Sequence, residues 1–198
     1  MTWTTTGGVR AVEGLRERKL AESRARVVDA AFGLFAERGF DAVTVAEVCA
    51  AADIAPRTFF RYFPTKDDLL AEPARVMSAR MRAALQDVPV DQPDAAALRT
   101  AVLALGEAVV ADADRTARLL RVVRSSDAAR PHPFLRLADR ERELAELLAT
   151  RSGRTPADWR TRLLVARATA AFRVWLDDLV DGAVDDPLQH LAEVLDAP

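Results

Sequence analysis

The sequence predicts an all-α protein of about nine helices: a compact front three-helix unit, joined by a fourth helix to a larger rear bundle. Three observations predict it. The apolar half of the 198 residues is mainly 39 Ala, 23 Leu and 20 Val, with a single Ile and a single Tyr, a balance that favours helix over sheet. Apolar positions recur at helical spacing in segment after segment. Residues that start and stop helices separate those segments.

Residues 1–14 have no apolar period and read as a flexible arm. The first helix then runs from about Glu17 to Arg38, with Leu20, Val27, Ala31, Leu34 and Phe35 as its apolar stripe and Gly39 as its left-handed stop. Thr44 and Glu47 form a capping box that opens the second helix, on which Val45, Val48 and Cys49 face inward. A tight turn through Asp53 leads to Pro56, at the first position of a third helix that ends before Pro64. Thr65–Asp68 caps a fourth helix reaching about Leu85, which Pro73 should kink or shorten. Beyond the linker at Val88–Pro93, helical segments follow at about 94–112, 115–126, 133–151, 156–181 and 187–196.

Composition narrows the function classes. The chain is 29% charged, as a globular protein is. The longest uncharged stretch, Met1–Val9, is far short of the roughly 20 apolar residues of a membrane span and has no signal-peptide pattern. A lone cysteine, Cys49, forms no internal disulfide. These features together suggest a soluble cytoplasmic protein with no membrane partner. Residues 1–66 carry 10 basic and 8 acidic side chains, while the chain as a whole has net charge −2, so an anionic partner would meet a local surface at the front.

The segment 44–63 is short helix, tight turn, short helix, the form of a DNA-binding helix-turn-helix. On its second helix, Phe59 and Phe63 are four apart and should enter the core. Pro56 with Phe60, and Thr58 with Tyr62, form further four-residue pairs, with Arg57 and Arg61 between them. An aromatic and cationic outer face on so short a helix suits a partner that covers it. Arginine can bond guanine edges, and Phe or Thr methyl groups can meet thymine methyls. Thr44, Tyr62 and Lys66 are placed to bond phosphates. The alternative is that Phe60 and Tyr62 pack beneath the rest of the chain and the arginines are solvated.

Arg24–Leu70 resembles the N-terminal DNA-binding domain of the TetR family of one-component transcriptional regulators. The likeness rests on Leu34-Phe35, Gly39-Phe40, Thr44-Val45, the run Thr58-Phe59-Phe60-Arg61-Tyr62-Phe63, and Lys66 before Leu69-Leu70. It implies recognition-helix contacts at Pro56, Arg57, Thr58, Phe60 and Tyr62, and phosphate contacts at Thr44 and Lys66. Two departures stand out. The turn reads Ala52-Asp53-Ile54-Ala55 where the family usually has Ala-Gly-Val-Ser, removing a hydroxyl cap worth about 1 kcal/mol. Phe60 replaces the commoner Tyr.

The resemblance further implies a helix-turn-helix domain over 15–65 and a ligand-binding and dimerisation domain over 66–198. It implies a homodimer on operator DNA and a small-molecule effector. For the dimer face, Val165, Ala166, Thr169 and Ala170 allow close helix approach beside Leu188, Leu191, Val194 and Leu195, although the same residues can pack within one chain. For the pocket, Phe134, Phe172 and Trp175 are candidates, with Arg121 and Arg124 as anion partners. Each aromatic also fits core packing, and each arginine a solvated face. Arg118–Pro133 resembles the rear domain of TetR regulators that include the mycofactocin-system repressor. Members of that group respond to acyl-coenzyme A ligands, which implies an elongated apolar pocket with a cationic mouth.

His132 and His190 form no metal-like cluster with Cys49, no phosphate-binding glycine loop is present, and no catalytic set is evident, so no cofactor or metal is expected. The expected function is a ligand-responsive, sequence-specific DNA-binding regulator, a repressor released by a small apolar or acyl-type effector. A helical protein-interaction module without DNA binding is the alternative.

Overall fold

A computed structural model describes the backbone of residues 6–126 and 133–197 and the side chains of 19–126 and 137–197. Among the described residues there are nine α-helices and no strand. The chain divides into two compact units, Met1–Leu70 and Ala71–Pro198. No helix of the described residues is long and apolar enough to cross a membrane.

The front unit contains α1 (Thr6–Arg38), α2 (Val45–Ala51), α3 (Pro56–Tyr62) and a 3-10 turn at Asp67–Leu69. Helix α1 starts well before the expected Glu17, inside the segment read as an arm; residues 1–5 lie outside the described residues. Its early part, Arg10–Lys19, is mostly Arg, Glu and Lys, good helix formers, so helix propensity continues where the apolar stripe has stopped. The stripe itself is Val27, Val28, Ala31, Phe32 and Phe35, all buried, whereas Leu20 is exposed and Leu34 half-buried. The rings of Phe35 and Phe40 meet edge-on at 5.0 Å, and those of Phe59 and Phe63 lie 5.6 Å apart. Gly39 stops α1 at φ +82°, a left-handed conformation that costs glycine nothing.

The rear unit contains α4 (Glu72–Asp87), α5 (Asp94–Val110), α6 (Ala113–Ser125), α7 (Pro133–Arg151), α8 (Trp159–Val180) and α9 (Pro187–Asp196). The expected fourth helix is thus two pieces. Thr65 donates from its N–H and its hydroxyl to Asp68 Oδ2, each at 2.9 Å, but only a 3-10 turn follows. Helix α4 opens afresh at Glu72, with Pro73 in its first turn, where a missing N–H costs nothing. Helix α8 begins at Trp159 rather than near 156, because Asp158 accepts the Thr161 N–H at 2.8 Å and sets the start. Asp186 caps α9 in the same way through Gln189 N–H at 3.1 Å.

Helix α5 lies centrally in the rear unit, burying Ala97, Leu98, Ala101, Val102, Leu105 and Val109. Trp175 is fully enclosed and donates its indole N–H to the Pro187 carbonyl at 2.6 Å, joining α8 to the start of α9. A Cβ added to Gly106 would fall 2.3 Å from Leu191 Cδ2, so any larger residue there forces the buried Leu191 side chain to shift where α9 packs on α5. Arg99 and Asp196 close the same helix pair with two parallel bonds of 2.9 Å. The linker after α4 is held by Arg151, which donates to the carbonyls of Val88 at 2.6 Å and of Pro89.

Candidate nucleic-acid interface and effector cavity

In the front unit, the geometry of α3 follows from the turn before it. Asp53 sits at φ +52°, the left-handed conformation that Asp tolerates better than most residues with a Cβ. Ile54 N–H reaches back to the Cys49 carbonyl at 3.0 Å, closing α2 as α3 begins. Ala55 precedes α3 with no side-chain cap, as expected from the missing hydroxyl, and Pro56 occupies the first turn. Cys49 is buried, and that burial pushes its thiol pKa up, which suits an unreactive core residue.

Helix α3 divides its aromatic residues sharply. Phe59 and Phe63 are sealed in the core, as their spacing predicts, and Phe60 is 53% exposed. Pro56, Arg57 and Arg61 are exposed and Thr58 is half-buried, so these residues form an open face. Tyr62 does not belong to it: it is only 8% exposed. Three residues after Phe59, it sits on the flank of the buried stripe. Its hydroxyl, bonded to Ser23 and reached by Arg61 Nη2 at 3.3 Å, is held below the usual tyrosine pKa by those partners. The Arg61 guanidinium in turn lies 5.1 Å above the Tyr62 ring. Tyr62 is therefore a platform for Arg61 rather than part of an open aromatic surface.

The two expected phosphate contacts are also engaged within the unit. Thr44 N–H and hydroxyl donate to Glu47 Oε2 at 2.8 and 2.7 Å, and Thr44 Oγ1 accepts the Glu47 N–H at 3.3 Å, completing the capping box. Arg38 adds an ion pair to Glu47 at 2.8 Å. The backbone and side chain of Thr44, followed by Arg38, hold the Glu47 carboxyl at a pKa of about 2 instead of 4.5. Thr44 stays exposed, so its hydroxyl is still within reach of a partner. Lys66 is different. Its ammonium donates to the carbonyls of Phe40 at 2.9 Å and Val43 at 3.0 Å and lies 4.2 Å from the Phe40 ring centre. It ties down the α1–α2 loop, a role that residue type and spacing did not reveal.

In the rear unit, a cavity of about 240 Å³ lies among α4, α5, α7 and α8. Its apolar wall includes Met77, Met81, Leu105, Leu144, Phe172 and Leu176. Of the five expected pocket residues, Phe172 lines it. Trp175 does not, because its ring, 5.1 Å from that of Phe172, turns toward α9 and fills the core. Arg121 is exposed and away from the cavity. Arg124 is bound by Asp177 and by Asp181, the latter at 3.0 Å, so its charge is satisfied by α8 and the residue that ends it. Phe134 lies outside the described side chains. The charged residues of the lining are instead Arg82, Arg140, Arg173 and Glu141, which helical periodicity cannot single out.

Helix α8 also presents an outward apolar stripe. Trp159 is 56% exposed, Leu163 53% and Val174 48%, with Ala166 and Ala170 between them at helical spacing. The expected dimer residues Val165 and Leu191 are instead fully buried in the unit's own core, and Thr169 faces the cavity.

The family model for bacterial regulatory proteins of the tetR family matches residues 27–72. The chain is 30% identical over 168 residues to the HTH-type transcriptional regulator TcmR of Streptomyces glaucescens, covering 81% of this chain and 74% of that one. It is 26% identical over 165 residues to MftR of Mycobacterium tuberculosis, named for regulation of mycofactocin biosynthesis, covering 81% and 83% of the two chains. Among solved structures, SmeT in complex with triclosan superposes with a TM-score of 0.62 at 20% identity over 88% of each chain, a likeness of fold.

Proposed function

The chain belongs to the tetR family of bacterial regulatory proteins and is a DNA-binding transcriptional regulator; from that premise we propose a homodimeric repressor that leaves its operator when a small apolar or acyl-type effector fills the rear cavity. The observation that carries the DNA reading is the open face of α3, where Phe60, Arg57 and Arg61 stand exposed beside Pro56 and Thr58. Two arginines on one helix face match guanine edges or phosphates, and the Phe60 ring matches a thymine methyl. Thr44 adds a phosphate contact through its exposed hydroxyl.

One seven-residue helix reads few base pairs, so a two-fold dimer reading two half-sites supplies the missing specificity. The exposed Trp159, Leu163 and Val174 stripe on α8 supports a second copy of this chain as its cover. Helix α4 supplies one wall of the cavity through Met77, Met81 and Arg82, and its chain leads directly back to the end of the front unit at Leu70. An effector that favours one arrangement of α4 would change the separation of the two recognition helices. DNA affinity would fall by the effector's differential binding to the two states.

The test is fluorescence anisotropy on DNA from upstream of the protein's own gene, with scrambled DNA as control and a salt titration. Sequence-dependent binding that weakens steeply with salt is expected. A folded dimer that binds no upstream fragment would overturn the reading in favour of a protein-interaction module. For the effector, a ligand panel is expected to contain compounds that raise the melting temperature and release DNA.

A further inference from the structure

We propose that Ser23 and Tyr62 are positioning residues for DNA binding: Ser23 fixes the Tyr62 hydroxyl, and Tyr62 holds the Arg61 guanidinium ready for one backbone phosphate, beside the base edges that Arg57 reads. This rests on the reading of the open face of α3 as the DNA surface. It replaces a direct phosphate contact by Tyr62, which the burial of that residue disfavours.

Arg57 and Arg61 are both exposed on α3, and neither forms an ion pair among the described residues. Their settings differ. Arg57 lies in the first turn and makes no hydrogen bond or ring contact among the described residues. Arg61 lies in the last turn, where its guanidinium is held at two points. Its Nη2 donates to the Tyr62 hydroxyl at 3.3 Å, and its guanidinium carbon stands 5.1 Å from the centre of the Tyr62 ring. The platform is itself fixed. Tyr62 is buried, its ring meets that of Phe63 edge-on at 6.3 Å, and its hydroxyl is bonded to the half-buried Ser23 of α1. The chain Ser23–Tyr62–Arg61 thus runs from α1 to the open face of α3.

A phosphate suits this arrangement better than a base. Residues early in the second helix of a helix-turn-helix reach base edges, and Arg61, in the last turn, falls beyond them. One N–H of its fork is spent on Tyr62, which keeps the group from turning freely to a base edge but leaves donors for a phosphate oxygen. A long exposed side chain loses rotamer freedom when it binds, and holding Arg61 beforehand removes part of that loss. The charged groups that act on the Tyr62 hydroxyl are both cations, Arg61 and, from α1, Arg26, so the field at this end of α3 favours an anion.

Fluorescence anisotropy of the full chain tests this, on the fragment upstream of its own gene and on a mixed-sequence duplex at low salt. Arg61→Gln is expected to lower affinity for both duplexes roughly tenfold and to reduce the salt slope by about one. Tyr62→Phe, which keeps the ring, should lower both roughly threefold, and Ser23→Ala, which leaves the α3 core untouched, roughly twofold. In the Arg61→Gln background both should cost nothing more, since they act through Arg61. Losses from Tyr62→Phe and Ser23→Ala that persist without Arg61 overturn the proposal, because the hydroxyls would then touch DNA themselves or merely support the fold. Full affinity in both variants overturns it as well. So does an Arg61→Gln loss confined to the upstream fragment, which would make Arg61 a base reader. If the folded wild-type chain binds neither duplex, the reading of the α3 face falls and the proposal with it.

Discussion

Phe59 and Phe60 are neighbours in α3, yet one ring is sealed in the front core and the other stands half exposed. Phe172 and Trp175, three apart in α8, are both enclosed, one on the cavity wall and one against α9. The front unit sorts its residues by local means. A capping box at Thr44, a left-handed Asp53 and a proline at the start of α3 decide within a few residues which ring turns outward. The rear unit sorts them through partners far away in sequence: Gly106 against Leu191, Arg99 with Asp196, Arg151 on the loop at Val88. Local devices leave a short helix free to present chemistry to a partner. Long-range packing can enclose a space, and a site of that kind has no address in the sequence.

Substitutions can break this comparison. The largest effect is expected from Trp175→Ala, which empties a fully buried site and strands the Pro187 carbonyl; about 3–5 kcal/mol should be lost in denaturant unfolding. If α3 is held by local contacts, a spectroscopic probe in the front unit should be unmoved at denaturant concentrations where the variant's rear unit has opened. Gly106→Ala should cost about 1–3 kcal/mol by driving a methyl into Leu191, and trimming Leu191 to Ala in the same chain should recover part of that relative to the sum of the two single changes.

A contrast within the front unit sharpens the same point. Arg57→Ala should weaken operator binding by about 1–3 kcal/mol and relax base preference, with the melting curve unchanged, because the side chain is exposed. Lys66→Met should do the reverse. It removes two bonds to loop carbonyls, so about 1–3 kcal/mol of stability is lost, while the salt dependence of DNA binding keeps its slope. A shallower slope in Lys66→Met would return that residue to the phosphate contacts.

The smallest effect is electrostatic. The folded-state pKa of Glu47 lies below its ordinary 4.5, at about 2, so the ionised carboxylate favours the native state. Its contribution is present above about pH 4.5 and is lost as pH falls through about 2. Carboxyl NMR should place the midpoint near 2, and Thr44→Ala should move it back toward 4.5.

Where the sequence speaks through neighbours, its reading holds. The cap at Thr44, the stop at Gly39, the buried Phe59 and Phe63, the exposed Phe60 and the left-handed Asp53 all follow from residues a few positions apart. The partners of Tyr62 and Lys66 were not legible because they are distant: Ser23 on α1 for one, the carbonyls of Phe40 and Val43 for the other. Arg121 and Arg124 looked equally available on α6, and only the acids at Asp177 and Asp181 tell them apart. Val165 and Leu191 looked like dimer contacts because apolar periodicity marks a buried face without saying what buries it.

By itself, then, the sequence determined the all-helical class, most of the helix boundaries and the helix-turn-helix, since capping, turn conformation and periodicity are interactions over one or two turns of chain. Tertiary structure alone decided that Phe172 would line a cavity while Trp175 filled the core, that Arg82, Arg140 and Arg173 would share its rim, and that Trp159, Leu163 and Val174 would remain uncovered. Those outcomes depend on which helix faces meet, and long-range packing chooses among faces that periodicity alone leaves equivalent.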